Sequence, residues 1–191
     1  MVGFNLLTGA LVPARDPLAL AEVIGPLLES PSRRAEFARV GLERVRSLML
    51  AEFPAGLAIV RDYDASLPEF RGDKEQLIQT VLNIAHNAAQ ALADRIETGD
   101  AQLTFKTRVA RQVTLAKVRY NLALDLHIID NGPGIPPQIR DRIFYPLVSG
   151  RDGGSGLGLT LAQTFVHQHM GVIECESRPG YTDFRILLPL P

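Results

Sequence analysis

Cysteine and long apolar runs are nearly absent from this sequence. Cys175 is the single cysteine among 191 residues, so no disulfide forms within the chain, and a reducing compartment fits this composition. No apolar run approaches the ~18 residues of a membrane-spanning helix. The first residues lack the basic and apolar segments of a signal peptide. We therefore expect a cytoplasmic protein that makes no membrane contact.

A surplus of either charge is also missing. The 20 Lys and Arg residues stand against 21 Asp and Glu residues, which gives a formal net charge of −1. A chain without a basic surplus has no general attraction for nucleic acid, and we expect no nucleic-acid partner. No internal repeat or low-complexity tract interrupts the sequence. Its length fits one domain with an appendage.

Two familiar nucleotide-binding patterns are missing as well. The glycines near residue 132 lead to Pro136 and Pro137 rather than to a long crossover helix, which excludes a Rossmann motif. No Gly-Lys-Ser or Gly-Lys-Thr follows the glycines near residues 132 or 156, which excludes a Walker loop. Any nucleotide site must therefore rest on other elements.

Two glycine clusters are present, and each has a mechanical interpretation. The first, residues 130–135, follows an apolar, alternating run that is typical of a half-buried strand. Asp130 closes this strand, and the glycines after it let the backbone approach a flat ligand closely. The second cluster, residues 153–159, runs directly into an apolar-periodic helix, whose free N–H groups and dipole favour phosphate. One cluster suits a base and the other a polyphosphate.

A third element is a predicted helix that carries Asn83 and Asn87. Its apolar residues recur at threes and fours, at Leu77, Val81, Ile84, Ala88 and Leu92. Asn83 and Asn87 are four residues apart and share one face, where an amide oxygen can ligate Mg²⁺ together with substrate phosphates. The alternative is a pair of exposed or capping asparagines, although asparagine is a poor residue inside a helix.

The asparagine helix, the first glycine cluster, Phe144-Tyr145-Pro146 and the second glycine cluster together resemble the ATP-binding domain of the GHKL superfamily. They stand in the order found in histidine kinases. Residues 61–68, 144–154 and 179–184 resemble nitrogen-regulation sensor kinases of the NtrB type. The resemblance covers about residues 41–191. It implies an α+β fold, a two-layer α/β sandwich (the Bergerat fold) whose mixed, mainly antiparallel sheet carries helices on one face. We expect this domain at residues 53–191, after an N-terminal helical appendage at residues 1–52.

The resemblance also implies a role for each site residue. Asp130 accepts a hydrogen bond from the adenine amino group, because a carboxylate accepts and the amine donates, and Thr182 supports this contact. Asn87 ligates Mg²⁺, and Asn83 contacts a phosphate or a metal-bound water. The other residues expected around ATP, several of them in a lid over the phosphates, are Gly132, Gly134, Ile135, Phe144, Arg151, Gly154, Ser155, Gly156, Leu157 and Gly158.

One residue favours a kinase over an ATPase motor. The hydrolysing members of the superfamily place a glutamate four residues before the metal-binding asparagine, where this chain has Asn83. An amide cannot take a proton at neutral pH, so water is not activated, and transfer of the γ-phosphoryl group to a supplied nucleophile is favoured. We therefore expect Asn83 and Asn87 to act in catalysis, with ATP and Mg²⁺ as cofactors.

The histidine that accepts the phosphoryl group in such kinases is missing. His86, His127, His167 and His169 are the four histidines, and none stands in a His-Glu/Asp-x-x-Asn/Pro setting. The resemblance then implies three partners: a histidine-containing dimerisation domain in trans, a response regulator and a nitrogen-signalling regulatory protein. Two alternatives stay open, namely an ATP-dependent binding module without turnover and an anti-sigma-type serine kinase.

The first 40 residues fall outside the resemblance. Asp16 and Pro17 are typical of a helix start, and helices are predicted at residues 18–29 and from residue 33 to about residue 52. This part is similar to the C-terminal tail of bacterial glycosyltransferases, but no transferase core accompanies it. The preferred interpretation is an amphipathic helical hairpin that covers the domain or mediates self-association.

The remaining elements follow from caps and alternation. Asp73 is the predicted N-cap of the asparagine helix, with Gln76 as its capping-box partner, and this helix is expected to end near Gly99. Strands are predicted at residues 57–63, 103–109, 122–129, 172–177 and 183–189, with a hairpin excursion at residues 111–121.

Overall fold

The structure is a computed structural model that describes residues 2–4, 11–13, 31–68, 70, 72–148 and 156–190. The predicted helix at residues 18–29 and the expected site residues Arg151, Gly154 and Ser155 lie outside these ranges. No helix of the described ranges is long and apolar enough to cross a bilayer. The helices of the described ranges are α1 (Pro31–Glu52), α2 (Lys74–Ala91), α3 (Ala93–Thr98), α4 (Pro137–Arg140) and α5 (Gly158–Gln168).

The strands of the described ranges are β1 (Val2–Phe4), β2 (Leu11–Pro13), β3 (Leu57–Asp62), β4 (Ala101–Leu115), β5 (Val118–Asp130), β6 (Val172–Arg178) and β7 (Tyr181–Pro189). A five-stranded sheet forms the centre of the described structure, in the order β3-β4-β5-β7-β6. The pair β3–β4 is parallel, and the three other neighbouring pairs are antiparallel. The predicted mixed, mainly antiparallel sheet is thereby confirmed. A separate antiparallel pair is formed by β1 and β2.

Strand alternation decides which face of the sheet carries the core. Leu124, Leu126 and Ile128 of β5 are buried in one large apolar cluster, because every second side chain of a strand points to the same face. Helices α2 and α5 pack against this face, and α2 buries the stripe that its periodicity predicts. The two-layer arrangement is therefore as expected from the resemblance.

Polar side chains on the opposite face tie β5 to β7. His127 Nε2 lies 3.1 Å from Asp125 Oδ1, and His127 Nδ1 lies 2.8 Å from Asp183 Oδ2. Arg185 donates two hydrogen bonds to Asp125, at 2.8 and 2.9 Å. Burial raises the pKa of Asp125, but the hydrogen bonds from Arg185 and the charge of His127 outweigh burial and hold that pKa below its ordinary value.

The N-terminus of α2 carries the predicted cap. Asp73 Oδ1 accepts from the backbone N–H groups of Glu75 and Gln76, at 3.0 and 3.1 Å, and Asp73 Oδ2 accepts from Gln76 Nε2 at 2.9 Å. In a capping box, the Asp73 N–H group would donate to the Gln76 side chain. Here it donates to His169 Nε2 instead, at 3.3 Å. The predicted helix also differs at its end, because the backbone bends at the buried Leu92, so that α3 rather than α2 reaches Gly99.

The hairpin predicted at residues 111–121 is confirmed, and its two strands are the outer ends of β4 and β5. The pairing of β4 with β5 continues outward to Leu115 and Val118. Ala116 and Lys117 connect the strands with φ values of 47° and 69°. Two positive φ angles give the turn a twist that matches the flanking strands. The sequence shows no Asn-Gly or Asp-Gly there, which is why the tight turn was missed.

The last turns of α1 belong to the core of the sheet domain. Leu42, Val45 and Met49 are buried in the same apolar cluster as α2, and the predicted helix at this position is confirmed. The division of the chain at residue 52 stays a prediction. An appendage that ended at residue 52 would contribute three residues, Leu42, Val45 and Met49, to the core of the domain that follows.

We predict that Met49→Ala destabilises the protein far more than Leu48→Ala. Met49 is 0% exposed and Leu48 is 45% exposed, so only the first change empties a packed volume. Truncating a buried methionine costs about 2–5 kcal/mol, whereas an exposed change stays within about 0.5 kcal/mol. Urea unfolding followed by circular dichroism measures both values. Equal losses for the two variants would show that α1 does not pack in the core.

Candidate functional site

A cavity of about 710 Å³ opens between α2, the loop after β5 and the start of α5. It brings together most of the described residues that the sequence analysis predicted for a ligand site. Those that line it are Asn83, Asn87, Asp130, Gly134, Ile135, Gly156, Gly158 and Thr182. Three other predicted residues, Gly132, Phe144 and Leu157, lie beside the cavity without lining it.

Asp130 places a buried carboxylate in the cavity wall. It is the last residue of β5 and only 4% exposed. Its Oδ1 accepts from the Gly132 N–H group at 2.9 Å, while no described residue donates to Oδ2. Burial raises the pKa of Asp130 to about 6, although the hydrogen bond from Gly132 acts against this shift. The site therefore presents one unused carboxylate oxygen to a ligand that can donate a hydrogen bond.

Thr182 stands opposite Asp130 and belongs to a buried hydroxyl pair. Thr182 is the partner of Asp130 in the β5–β7 register and of Ser177 in the β6–β7 register. Ser177 Oγ lies 3.1 Å from Thr182 Oγ1 and accepts from the Ile135 N–H group at 2.8 Å. Ser177 was not among the site residues predicted from the sequence. A signal was present, because Ser177 continues the alternation of Ile173 and Cys175 on the buried face of a strand.

The loop after β5 needs glycine where it meets the β6–β7 turn. Gly134 has a φ of 85°, and a Cβ atom there would lie 2.9 Å from the carbonyl carbon and oxygen of Arg178. The Gly180 N–H group donates to Gly132 O at 2.8 Å, which fixes the two turns to each other. Both the conformation and the contact exclude a side chain at Gly134. The loop is thereby held along one side of the cavity.

The two asparagines of α2 have different surroundings. Asn83 Oδ1 accepts from Gln79 Nε2 at 2.8 Å, and Asn83 Nδ2 donates to Gly158 O at 3.2 Å. Asn83 therefore joins α2 to the first residue of α5. No described residue makes a hydrogen bond with the Asn87 amide, which lines the cavity. Asn87 is the amide that is available to a ligand or a metal ion.

The start of α5 forms the other end of the cavity. Gly156 has a φ of 64°, and a Cβ atom there would lie 2.6 Å from the carbonyl carbon of Leu147. The Leu147 N–H group donates to Gly156 O at 3.1 Å. Gly158 then begins an eleven-residue helix whose first N–H groups point out of its N-terminus. This end of the cavity suits an anion.

Phe144 attaches the segment before α5 both to the sheet and to α5. Its ring makes an edge-on contact with Phe184, with centroids 6.3 Å apart. Its carbonyl oxygen accepts from Thr160 Oγ1 of α5 at 3.1 Å. Phe144 therefore fixes α5 to the sheet, and Phe184 rather than Phe144 lines the cavity.

His86 is a further cavity residue to which the sequence analysis gave no ligand role. It lies between the two asparagines in sequence, lines the cavity and places Nε2 3.1 Å from Glu52 Oε2, at the last residue of α1. Gln90 and Asp94 also line the cavity. No helix periodicity separates such residues from ordinary exposed positions, so only the folded arrangement identifies them.

The arrangement as a whole has the chemistry of a nucleotide site. A hydrogen-bond acceptor of a buried residue lies at one end, and a helix N-terminus with a neighbouring amide lies at the other. The described residues contain no group of three His, Cys, Asp or Glu side chains that could enclose a metal ion. A cation here would share its coordination between Asn87 and the ligand, which is the usual situation for Mg²⁺.

Comparisons with known proteins agree with this chemistry. The family model described as histidine kinase-, DNA gyrase B- and HSP90-like ATPase matches residues 72–191. The sensory histidine kinase/phosphatase NtrB of Salmonella typhimurium is 49% identical over 148 residues, which cover 78% of this chain and 41% of the relative. NtrB of Escherichia coli O157:H7 is 45% identical over 168 residues, 88% of this chain and 47% of the relative. The chain thus spans less than half the length of these curated relatives.

Solved structures share the fold. The mycobacterial sensor histidine kinase MprB matches with a TM-score of 0.63 and 23% identity, over 80% of this chain and 93% of that chain. Full-length ShkA in complex with AMPPNP matches with a TM-score of 0.61 and 23% identity, over 84% of this chain and 30% of that chain.

We predict that Asp130→Asn stabilises the empty protein at high pH. Because the folded-state pKa of Asp130 is about 6 against an ordinary 3.8, the folded protein binds this proton more tightly than the unfolded chain. The cost of the buried charge is therefore complete above about pH 6, declines as the pH falls, and vanishes below about pH 4. At 1.36 kcal/mol per pKa unit, the gain at pH 8 is at most about 3 kcal/mol.

Thermal and urea unfolding between pH 4 and pH 8 measure this gain. Asp125→Asn is the matched control with the opposite sign. The pKa of Asp125 is lowered, so this change should cost stability at pH 8, and the cost should shrink as the pH falls. A pH-independent difference between wild type and Asp130→Asn would contradict the buried charge.

Proposed function

The chain belongs to the family of histidine kinase-, DNA gyrase B- and HSP90-like ATPases, and on this premise we propose that it is the ATP-binding catalytic part of a sensor histidine kinase of nitrogen regulation. The resemblance found in its motifs is thereby confirmed. In this proposal the chain transfers the γ-phosphoryl group of ATP to a histidine of another segment or chain. The observation that carries the proposal is one cavity with an oxygen of the buried Asp130 carboxylate, unpaired among the described residues, at one end and the N-terminus of α5 at the other.

The end of the cavity at Asp130, which we call the base end, accepts a hydrogen bond from an amine. The unused Oδ2 of Asp130 accepts a hydrogen bond from the exocyclic amino group of adenine, while Gly132 holds the other oxygen. A donor at this point favours the charged carboxylate, so binding lowers the raised pKa of Asp130 and offsets part of the cost of burial. Ile135, Ile139 and Phe184 supply apolar walls for a flat ring.

The end of the cavity at Gly158 and Asn87, which we call the phosphate end, binds the negatively charged phosphates and a metal ion. The N–H groups that start α5 at Gly158 bind phosphate oxygens, and the unpaired amide of Asn87 supplies an oxygen ligand for Mg²⁺. A Mg²⁺ ion held there by Asn87 would supply positive charge that offsets the negative charge developing on the phosphates during transfer. Asn83 keeps α5 beside α2 through Gly158 O. Because the Asn83 side chain is an amide, it does not abstract a proton from water.

We propose that the acceptor histidine comes from outside the described structure, because none of the four histidines stands in a phosphoacceptor setting. His86, which lines the cavity, lies 3.1 Å from Glu52 Oε2. His127 is enclosed by Asp125 and Asp183, and both ring nitrogens of His169 are bonded at the end of α5. The segments on both sides of Gly156 in sequence carry exposed apolar side chains that a partner segment can contact: Tyr145, Leu147, Leu157 and Leu161. We propose a histidine-containing dimerisation domain as this partner, with a response regulator and a nitrogen-signalling regulatory protein acting on the whole kinase in the cytoplasm.

We predict that Asn87→Ala separates phosphate binding from base binding. Removing a metal ligand should weaken Mg·ATP at least about tenfold, a loss of about 1.4 kcal/mol, and leave adenosine affinity within about twofold. Isothermal titration calorimetry with Mg·ATP, metal-free ATP and adenosine measures the three affinities. Asn121→Ala, on the exposed hairpin, is the matched control and should change none of them. Equal loss for adenosine would place Asn87 in the structure of the pocket rather than at the metal.

We predict that the chain transfers phosphate but hardly hydrolyses ATP. Alone, it should bind ATP and release almost no inorganic phosphate, because no carboxylate stands at Asn83. With the dimerisation domain of a nitrogen-regulation kinase in trans, it should label the histidine slowly, because docking is bimolecular and the effective concentration of a tether is lost. Labelled ATP with acid-lability analysis detects the phosphohistidine.

Two variants distinguish ATP hydrolysis from transfer to histidine in this labelling experiment. Asn83→Glu should raise hydrolysis without raising histidine labelling, since it supplies a base for water. Asn87→Ala should lower labelling at least about tenfold. Rapid hydrolysis by the unmodified chain would overturn the kinase and favour a motor. Tight ATP binding with no transfer to any histidine would favour a binding module.

A further inference from the structure

Three polar side chains meet on the buried face of the sheet at the base end of the cavity. Asp130, Thr182 and Ser177 occupy neighbouring strands in one register row, and all three are buried. Asp130 and Thr182 line the cavity, whereas Ser177 lies behind Thr182 and does not. Ser177 thus contacts the ligand site only indirectly, through the Thr182 hydroxyl group and the Ile135 N–H group.

The available hydrogen-bond partners determine which of the Ser177 and Thr182 hydroxyl groups donates to the other. Ser177 Oγ accepts from the Ile135 N–H group at 2.8 Å and lies 3.1 Å from Thr182 Oγ1. If Thr182 donated across this contact, the buried Ser177 hydroxyl proton would have no acceptor among the described residues. An unsatisfied buried donor is costly. If Ser177 donates to Thr182, both oxygens are satisfied and the Thr182 proton is directed elsewhere.

The cavity is the place where that proton can go. No hydrogen bond joins Thr182 to Asp130 in the described structure, and Thr182 lines the cavity. The base end therefore presents an acceptor, Asp130 Oδ2, next to a donor, the Thr182 hydroxyl. The chain of donors runs from the Ile135 amide to Ser177, from Ser177 to Thr182, and from Thr182 into the cavity.

We propose that Ser177 is a positioning residue that selects the base, because it fixes the Thr182 hydroxyl as a donor beside the carboxylate. This inference rests on the proposed function and names a determinant of its specificity. The acceptor–donor pair matches an amine next to an unprotonated ring nitrogen, as in the edge of adenine. Guanine presents the reverse order, a carbonyl oxygen next to a protonated ring nitrogen, and leaves both protein groups unmatched.

A purely structural role for Ser177 makes a different prediction. Its hydrogen bond to Ile135 also holds the loop after β5, so loss of the hydroxyl group could loosen the cavity for every ligand. Such loosening weakens all nucleotides by the same factor. A positioning role weakens only those ligands whose ring nitrogen accepts from Thr182. The ratio of two affinities therefore separates the two roles, where a single affinity does not.

The probe is ATP compared with 1-deaza-ATP, in which the ring nitrogen N1 is replaced by carbon, both with Mg²⁺. Wild type should bind ATP about tenfold more tightly than 1-deaza-ATP, the effect of one hydrogen bond. Ser177→Ala should reduce this ratio to below about threefold, mainly by weakening ATP. Ser177→Thr keeps the hydroxyl group and should restore the ratio. Ser47→Ala, an exposed serine that bonds only to Glu43 O of its own helix, is the matched control and should leave the ratio unchanged.

The outcomes are distinguishable. Equal affinity of wild type for both nucleotides overturns the proposal without any variant, and so does a ratio that stays near tenfold in Ser177→Ala. Thr182→Val, which removes the donor itself, should give the same low ratio and serves if Ser177→Ala does not fold. Failure of wild type to bind either nucleotide would instead overturn the proposed ATP function. Circular dichroism confirms that each variant is folded.

Discussion

The burial of one carboxylate at the end of a central strand is the interaction on which this site depends. Asp130 is enclosed by β4 and β7, and Gly132 satisfies one of its oxygens, which leaves the other without a protein partner in the described structure. Burial then raises its pKa to about 6 and costs stability in the empty protein. A ligand amine that donates to this oxygen recovers part of that cost. In the proposed function, the strength of base recognition would therefore come from a buried charge that the empty fold tolerates.

The two ends of the cavity are built on different layers, which explains how one site can be both rigid and selective. The base end lies on the sheet, where Asp125, His127, Asp183 and Arg185 tie β5 to β7 on the opposite face. The phosphate end lies on helices, where Asn83 joins α2 to α5. Each end is fixed by polar contacts that do not use the groups facing the ligand. Those groups, Asp130 Oδ2 and the Asn87 amide, stay available because their neighbours carry the structural bonds.

Interactions between residues close in sequence explain which parts of the fold and of the site could be predicted from the sequence. Asp130 at a strand end, the Asp73 cap and the asparagine face of α2 follow from short-range spacing, and the folded chain contains all three. The tight turn at Ala116 and Lys117 was missed because its positive φ angles are not announced by glycine. Ser177 was missed because its role depends on the register of β6 with β7 and on a loop 42 residues away in sequence. Pairings across the sheet are set by tertiary packing, which periodicity does not encode.

The distribution of groups along the chain fits the proposal that the nucleophile is supplied by another segment or chain. Every described residue that lines the cavity lies between Asn83 and Phe184. The core that supports it extends back to Leu42 in α1, and His86 contacts Glu52 at the end of that helix. Because α1 packs in the core and its last residue contacts a side chain of the cavity wall, α1 would orient an attached segment relative to a bound nucleotide. In a kinase that gains its rate from positioning, such an orientation does what a tether does, because it raises the effective concentration of the acceptor at the γ-phosphate.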